Sequence, residues 1–126
     1  MVLNSHLAFT RSVTLFGARQ NGVLLGIGAL KMLSGGQAEL KSMHTIETSR
    51  RQGVAQCLVE MLISEALRRD CSRLLLETGA MDAFAPARAL YMKCGFSLCE
   101  PFGEYVGSST SVCMAMDLSR LEATTD

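Results

Sequence analysis

The hydrophobic positions change period along the chain, and the first half has the short alternating runs typical of β-strands. Residues 13–33 contain two such runs on either side of Asn21-Gly22. Both central positions of a type I′ turn need positive φ, which Asn and Gly adopt readily, so this pair predicts a hairpin. A turn at residues 34–37 leads into a third run at 38–46. The pattern therefore predicts an antiparallel meander of three strands.

From Gly53 the period becomes helical. The next apolar residues lie at i, i+3, i+4, i+7 and i+8, which is one face of a helix: Val54, Cys57, Leu58, Met61 and Leu62. Polar residues end this helix at 68–70. A short apolar run at 73–79 follows, and such a run after a helix is typical of a buried strand parallel to an earlier one.

The last third of the chain predicts one short helix and two closing strands. Pro86 suits the first turn of a helix, and Gly95 suits the position just past its end. Residues 86–93 are therefore predicted to be helical. The closing strands are predicted at 96–102 and 111–118.

The order of these elements indicates a single α/β domain over residues 1–126, with a mixed sheet. Residues 1–11 are expected to be a short N-terminal stub, at most partly helical. Residues 103–110 form a polar connecting loop, and 119–126 a loose tail.

Charge and hydropathy exclude several classes of function. The chain has 12 basic and 12 acidic residues, whereas a general nucleic-acid binder usually carries a basic surplus. No apolar run reaches the roughly 18 residues that a membrane span needs. Arg11 interrupts the apolar part of the N-terminus, which makes it no convincing signal peptide. Neither a nucleic acid nor a membrane is expected as a partner.

The cysteines favour a reduced, cytoplasmic protein. Their number is five, none has CxxC spacing, and the chain has two histidines. A disulfide framework and a zinc site are both poorly supported by this pattern, so no metal is expected.

Residues 49–55 combine charge and glycine at the start of the predicted helix. The first amides of a helix lack partners within it and carry about half a positive charge, which suits an anion. Gly53 allows a ligand to approach the backbone closely, and Arg50 and Arg51 add positive charge. An ordinary solvated basic turn is the alternative interpretation. The stretch matches neither the Walker nor the Rossmann glycine motif.

Two motifs together resemble the GCN5-related N-acetyltransferases (GNAT). The phosphate-binding motif of that family corresponds to Arg50-Arg51-Gln52-Gly53-Val54-Ala55, which opens a predicted helix. A second motif, with a small residue, Leu-Tyr and then Gly-Phe, corresponds to Ala87 through Phe96. The resemblance covers roughly residues 12–118. It implies a GNAT-like, mostly antiparallel sheet flanked by helices.

The resemblance implies acetyl-coenzyme A as cosubstrate and a direct attack by a primary amine on its thioester. The amides of Gln52, Gly53, Val54 and Ala55 would hold the pyrophosphate, with Arg50 and Arg51 in the same loop. The backbone of Met43, His44 and Thr45 would pair with the pantetheine arm, which requires a gap between this strand and residues 73–79. The cofactor-binding residues expected from the resemblance are Met43, His44, Thr45, Arg50, Arg51, Gln52, Gly53, Val54, Ala55 and Ala87.

Tyr91 matches the proton donor of the family, and a tyrosine packed on the core is the alternative. The base that takes the proton of the amine is left open. Glu39 ranks first, Glu77 second and His44 third. Each of these three residues also has a structural interpretation, such as an ion pair with Lys41 or a histidine satisfied in the core.

The polar loop is expected to border the acceptor, with Phe102 and Tyr105 as substrate-binding residues and Glu104 near them. The acceptor is expected to be the primary amine of a small or amino-acid-like molecule. An aromatic anchor in a hairpin connection is the alternative role for the loop.

The sequence departs from the family pattern at the N-terminus and at Phe84. Only about eleven residues precede the meander, so the usual first strand and helix appear to be lost. The strand around 13–18 would then be a sheet edge, and apolar edges invite pairing, so a homodimer is expected. Phe84 stands where many members carry an Asn that contacts the cofactor. A degenerate GNAT-fold protein that binds coenzyme A without turnover is therefore the alternative function.

Overall fold

One mixed sheet organises the chain. The computed structural model describes residues 2–9, 12–46 and 53–119, with the side chains of 2–9 left out. Within these residues seven strands lie in the order β1-β2-β3-β4-β5-β7-β6. Their bounds are β1 (Val2–Phe9), β2 (Val13–Gln20), β3 (Val23–Met32), β4 (Gln37–Thr45), β5 (Arg73–Gly79), β6 (Ser97–Leu98) and β7 (Ser111–Asp117).

The predicted meander is present as β2, β3 and β4, which pair antiparallel in sequence. Asn21 has φ 51° and Gly22 has φ 80°, as the two central positions of a type I′ turn require. The prediction of a parallel strand after the first helix is also confirmed, because β5 pairs parallel to β4.

The N-terminus differs from the sequence-based expectation. Residues Val2–Phe9 form a strand that pairs antiparallel with β2, where at most a short helical stub was expected. β2 is therefore an interior strand, and β1 is the edge. Only three residues separate β1 from β2, which is too few for a helix between them.

The second closing strand is also shorter than predicted. β6 contains only Ser97–Leu98, although the pattern predicts a strand over 96–102. The chain leaves the sheet after Cys99, whose N–H donates to the Cys113 carbonyl. Pro101 follows closely, and proline cannot donate to a strand ladder.

Both helices pack on the same face of the sheet. They are α1 (Val54–Arg68) and α2 (Ala85–Lys93), which agrees with the predicted positions. None of the described helices is long and apolar enough to cross a membrane. The register aligns one cross-strand row beneath them, consisting of Leu30, Leu40, Leu76 and Met114. This row and the α1 residues Val59, Leu62 and Ala66 belong to a single buried cluster.

Since side chains alternate across a sheet, the neighbouring row faces away from the helices. That row comprises Val13, Lys31, Glu39, Leu75 and Ala115. The sheet thus has an apolar face under two helices and a second face that carries charge.

Leu62 tests this account of the core. Its side chain is fully buried between α1 and the sheet, so Leu62→Ala leaves a cavity. We expect it to lower the free energy of unfolding by about 2–5 kcal/mol. Ser64→Ala, at an exposed position on the same helix, is the control and should change it by less than about 0.5 kcal/mol. Urea denaturation of both variants measures the difference, and equal small effects would contradict the packing described here.

Candidate functional site

A cleft opens where β4 and β5 part. Their parallel pairing runs from Gln37 and Arg73 to Leu40 and Leu76 and then ends. Beyond this point the two strands enclose a cavity of about 500 Å³, here called the cleft. Its lining comprises Leu40, Lys41, Ser42, Met43, Leu76, Glu77, Thr78, Gly79, Met81, Phe84, Ala87, Tyr91 and Thr110. The gap that the resemblance required is therefore present.

A β-bulge in β4 shapes one wall of the cleft. Between the pairs Ile27–His44 and Ala29–Lys41, β4 uses one residue more than β3. Ser42 lies in this bulge with φ 57°, a left-handed conformation that is uncommon for residues other than glycine. The bulge keeps β4 paired to β3 while it redirects the strand on the cleft side.

The cleft continues into a second cavity between the end of β4 and the two helices. This cavity, here called the channel, has a volume of about 560 Å³. Four residues line both the cleft and the channel: Met43, Phe84, Ala87 and Tyr91. The channel is completed by His44, Thr45, Ala55, Ala83, Pro86 and Leu90. Together the two cavities form a long path from the sheet to the start of α1.

The start of α1 borders the far end of this path. Gly53 precedes the helix with φ 80°, and no side chain of the described residues caps the first turn. A Cβ at Gly53 would meet no atom of the described residues within 4 Å, which leaves room on this side for a ligand. Ala55 lines the channel. The predicted loop residues Arg50, Arg51 and Gln52 lie outside the described part of the chain.

Phe84 closes one side of the cleft against the end of β5. A Cβ added at Gly79 would lie 2.2 Å from the ring of Phe84, so the ring packs directly on the glycine backbone. Arg88 fixes the same region, because its Nη1 donates to the carbonyls of Gly79 at 2.6 Å and Met81 at 3.0 Å. Glycine at 79 is thus required by the close approach of an aromatic ring.

Tyr91 lies at the junction of the two cavities. The ring packs edge-to-face on Phe96, with 6.0 Å between centroids. Its hydroxyl has no hydrogen bond to another described residue. Burial raises the pKa of Tyr91, so the hydroxyl stays protonated at neutral pH. The ring thus packs in the core while the residue also borders the cleft, and the donor role stays a prediction.

A third cavity lies on the sheet face opposite the helices. This loop cavity has a volume of about 310 Å³. It is lined by Lys31, Leu33, Ser34, Gln37, Glu39, Lys41, Leu75, Phe102, Gly103, Glu104 and Tyr105. Phe102 and Tyr105, the predicted substrate-binding residues, are brought together here with ring centroids 5.2 Å apart.

A polar cluster forms the floor of the loop cavity. The Tyr105 hydroxyl donates to Glu39 Oε2 at 2.8 Å, and Lys41 Nζ donates to the Tyr105 oxygen at 3.3 Å. Lys41 Nζ also lies 3.7 Å from Glu39 and 3.8 Å from the exposed Glu104. Burial and the hydrogen bond to Glu39 raise the pKa of Tyr105 well above its usual value. Glu39 is only 4% exposed, and its charge is compensated locally.

The three candidate bases line three different cavities. Glu39 lines the loop cavity, Glu77 the cleft, and the exposed His44 the channel. Lys41 accompanies Glu39 at 3.7 Å, so the ion pair given as the structural alternative for this residue is present. Lys31, which the sequence analysis did not name, lines the same cavity. The signal for Lys31 was present in the sequence, because alternate residues of paired strands share one face.

Comparison with known proteins places these features in a family. Residues 3–96 match the Acetyltransferase (GNAT) family. YsnE, an uncharacterized N-acetyltransferase of Bacillus subtilis, is 43% identical over 106 residues, which cover 84% of this chain and 70% of that protein. YedL, an uncharacterized N-acetyltransferase of Escherichia coli, is 42% identical over 94 residues, 75% of this chain and 59% of that protein. The chain thus spans less than two thirds of the second relative.

Among solved structures, a GNAT family acetyltransferase from Elizabethkingia anophelis with acetyl-CoA bound has the same fold. The TM-score is 0.78 at 17% identity, and the match covers 92% of this chain and 97% of that one.

The two tyrosines, which are all that the chain contains, give a direct test of these surroundings. Both tyrosines have a raised pKa. The unfolded chain should form tyrosinate at about pH 10, and the native protein should form it only at higher pH. The stability linked to these groups is complete below about pH 10 and is lost as the pH rises through the native pKa values. Absorbance at 295 nm, titrated with and without guanidinium, measures this. A native transition at or below pH 10 would contradict the burial of both hydroxyls.

Proposed function

The chain belongs to the Acetyltransferase (GNAT) family, and on this basis we propose that it transfers an acetyl group from acetyl-coenzyme A to a primary amine of a small molecule. The observation that carries the proposal is the continuous path from the parted strands to the uncapped start of α1. Such a path suits a long, thin ligand that ends in a pyrophosphate.

The residues present fit that cosubstrate at three places. The amides of Gly53, Val54 and Ala55 would hold the pyrophosphate, because no side chain among the described residues caps the first turn of α1. Among the described strands none lies beside β4 on the β5 side after Leu40, which leaves room for the pantetheine arm along the backbone of Met43 and His44. Ala87 leaves room where the cleft meets the channel. Arg50, Arg51 and Gln52 would complete the phosphate loop.

The thioester of the cosubstrate supplies an activated acyl carbon and a thiolate leaving group. Tyr91 would give that sulfur its phenolic proton, and its position along both the cleft and the channel supports this role. As the nitrogen–carbon bond forms and the carbon–sulfur bond breaks, one proton leaves the amine and one reaches the sulfur.

Glu39 is the base that the geometry favours. It lines the loop cavity beside Phe102 and Tyr105, and Lys41 lines both this cavity and the cleft. Glu77 lies within the cleft and ranks second. His44 lines the channel, where the pantetheine arm would run, and ranks third.

Binding of coenzyme A without turnover is the second candidate function. It is favoured by the three-residue connection between β1 and β2, which leaves no helix from this region to cover the second sheet face. Turnover of any amine separates the two candidates.

Assembly and location are further parts of the proposal. The outer edge of β1 has no neighbouring strand among the described residues, so pairing of two such edges would give a homodimer. The five cysteines form no disulfide in the described structure, which is compatible with the reducing cytoplasm.

Tyr91→Phe tests the proposed donor. The change keeps the ring that packs on Phe96 and removes only the hydroxyl, so we expect kcat to fall by about 100-fold, in the range typical of general acid–base groups. Release of the coenzyme A thiol, measured across a panel of primary amines, reports the rate. The affinity for acetyl-coenzyme A should stay within about twofold, which serves as the internal control. Unchanged kcat in a folded variant would exclude the donor role.

A further inference from the structure

The loop cavity carries both signs of charge. Its charged lining residues are Lys31, Lys41, Glu39 and Glu104, two cations and two anions. Lys41 is occupied, since it lies against Tyr105, Glu39 and Glu104. Lys31 makes no hydrogen bond or ion pair with another described residue. Within the described part of the chain, Lys31 is therefore a cation without an ion-pair partner beside a carboxylate that is already compensated.

The sheet register fixes the spacing between these two groups. Lys31 in β3 pairs directly with Glu39 in β4, and both side chains face away from the helices. Side chains directly opposite in an antiparallel pair have Cβ atoms about 5 Å apart. The two side chains therefore start from neighbouring points on one sheet face, so a single small molecule can contact both.

The cavity is also connected to the reacting centre. Lys41 lines both the cleft and the loop cavity. The Lys41 side chain therefore lies between a small molecule in the loop cavity and the parted strands. The volume of about 310 Å³ suits a small acceptor rather than a large one.

We propose that the loop cavity binds an acceptor of the α-amino-acid type, with its carboxylate on Lys31 and its amine toward Glu39. This inference rests on the proposed acetyl transfer. The nitrogen of the neutral amine forms a bond to the acetyl carbon as the carbon–sulfur bond breaks. One amine proton passes to Glu39, and the departing sulfur takes a proton from Tyr91. The products are an N-acetyl amino acid and free coenzyme A.

Two other acceptor classes fit the charges less well. Polyamines and aminoglycosides carry several positive charges, which Lys31 and Lys41 would repel. A simple alkylamine would leave Lys31 without a partner and would gain nothing from it. An amino acid satisfies both signs with one small molecule.

The experiment compares matched acceptors on matched variants. Each standard amino acid is tested against its carboxamide, which removes the negative charge with little change in size. The variants are Lys31→Met and, as control, Lys93→Met, an exposed lysine at the end of α2 that lines none of the three cavities. The readouts are thiol release and, independently, calorimetric titration of each acceptor into the protein saturated with coenzyme A.

We expect at least one amino acid to be preferred over its amide. Lys31→Met should raise its KM about 10-fold or more, as loss of a hydrogen bond to a charged group does, with kcat within twofold. The KM of the carboxamide should be unaffected by Lys31→Met. The Lys93→Met variant should have the same KM and kcat as the wild type. Lys31→Gln, which keeps a donor without the charge, should be intermediate.

The other possible outcomes distinguish a failure of this inference from a failure of the proposed function. Equal use of acids and amides, or equal effects of the two lysine variants, would overturn the inference. Acetylation of other amines without binding of any amino acid would also overturn it but would leave the proposed function intact. Amino-acid binding that depends on Lys31 without thiol release would support the cavity assignment and contradict acetyl transfer.

Discussion

The end of pairing between β4 and β5 is the constraint on which the whole site depends. The two strands share four residue pairs and then part after Leu40 and Leu76. Parting is tolerable because each strand stays paired on its other edge: β4 with β3 through the bulge, and β5 with β7 as far as Gly79. Only the inner edges lack a neighbouring strand among the described residues, and buried backbone groups without partners cost free energy. A ligand that pairs with those edges would recover part of that cost.

The two faces of the sheet have different roles in the proposed function. Under the helices, a row of leucines and Met114 forms the core, and α1 and α2 bring Gly53 and Tyr91 to the same path. On the other face, Lys31 and Glu39 lie side by side in a row that is otherwise apolar, and the loop that carries Tyr105 contacts Glu39. Cofactor chemistry and acceptor recognition are thus assigned to opposite faces, and they meet at Lys41 in the gap.

Much of this arrangement was predictable from the sequence, because several elements begin or turn at residues with strong local preferences. Asn21-Gly22 defined a hairpin, Pro86 defined a helix start, and the helical spacing after Gly53 defined α1, because each signal is local. β1 was missed because its residues lack clear alternation and only pairing with β2 makes them a strand. The bulge at Ser42 was missed because serine rarely adopts positive φ and only the tertiary register requires it here. The Glu39–Lys41–Tyr105 cluster joins residues that are more than sixty positions apart, and no local pattern reports such a contact.

The most direct test of the account is the melting temperature with and without millimolar acetyl-coenzyme A. Three proteins are compared: the wild type, Gly53→Asp, and Gly22→Asp as control. Gly22 and Gly53 have the same φ of 80° and the same open surroundings, so both variants carry similar backbone strain, but only one places a carboxylate at the start of α1. The account predicts a rise of about 5 °C or more for the wild type and for Gly22→Asp, and little or none for Gly53→Asp. No rise in the wild type, or an equal rise in Gly53→Asp, would contradict the assignment of the path from the parted strands to the cosubstrate.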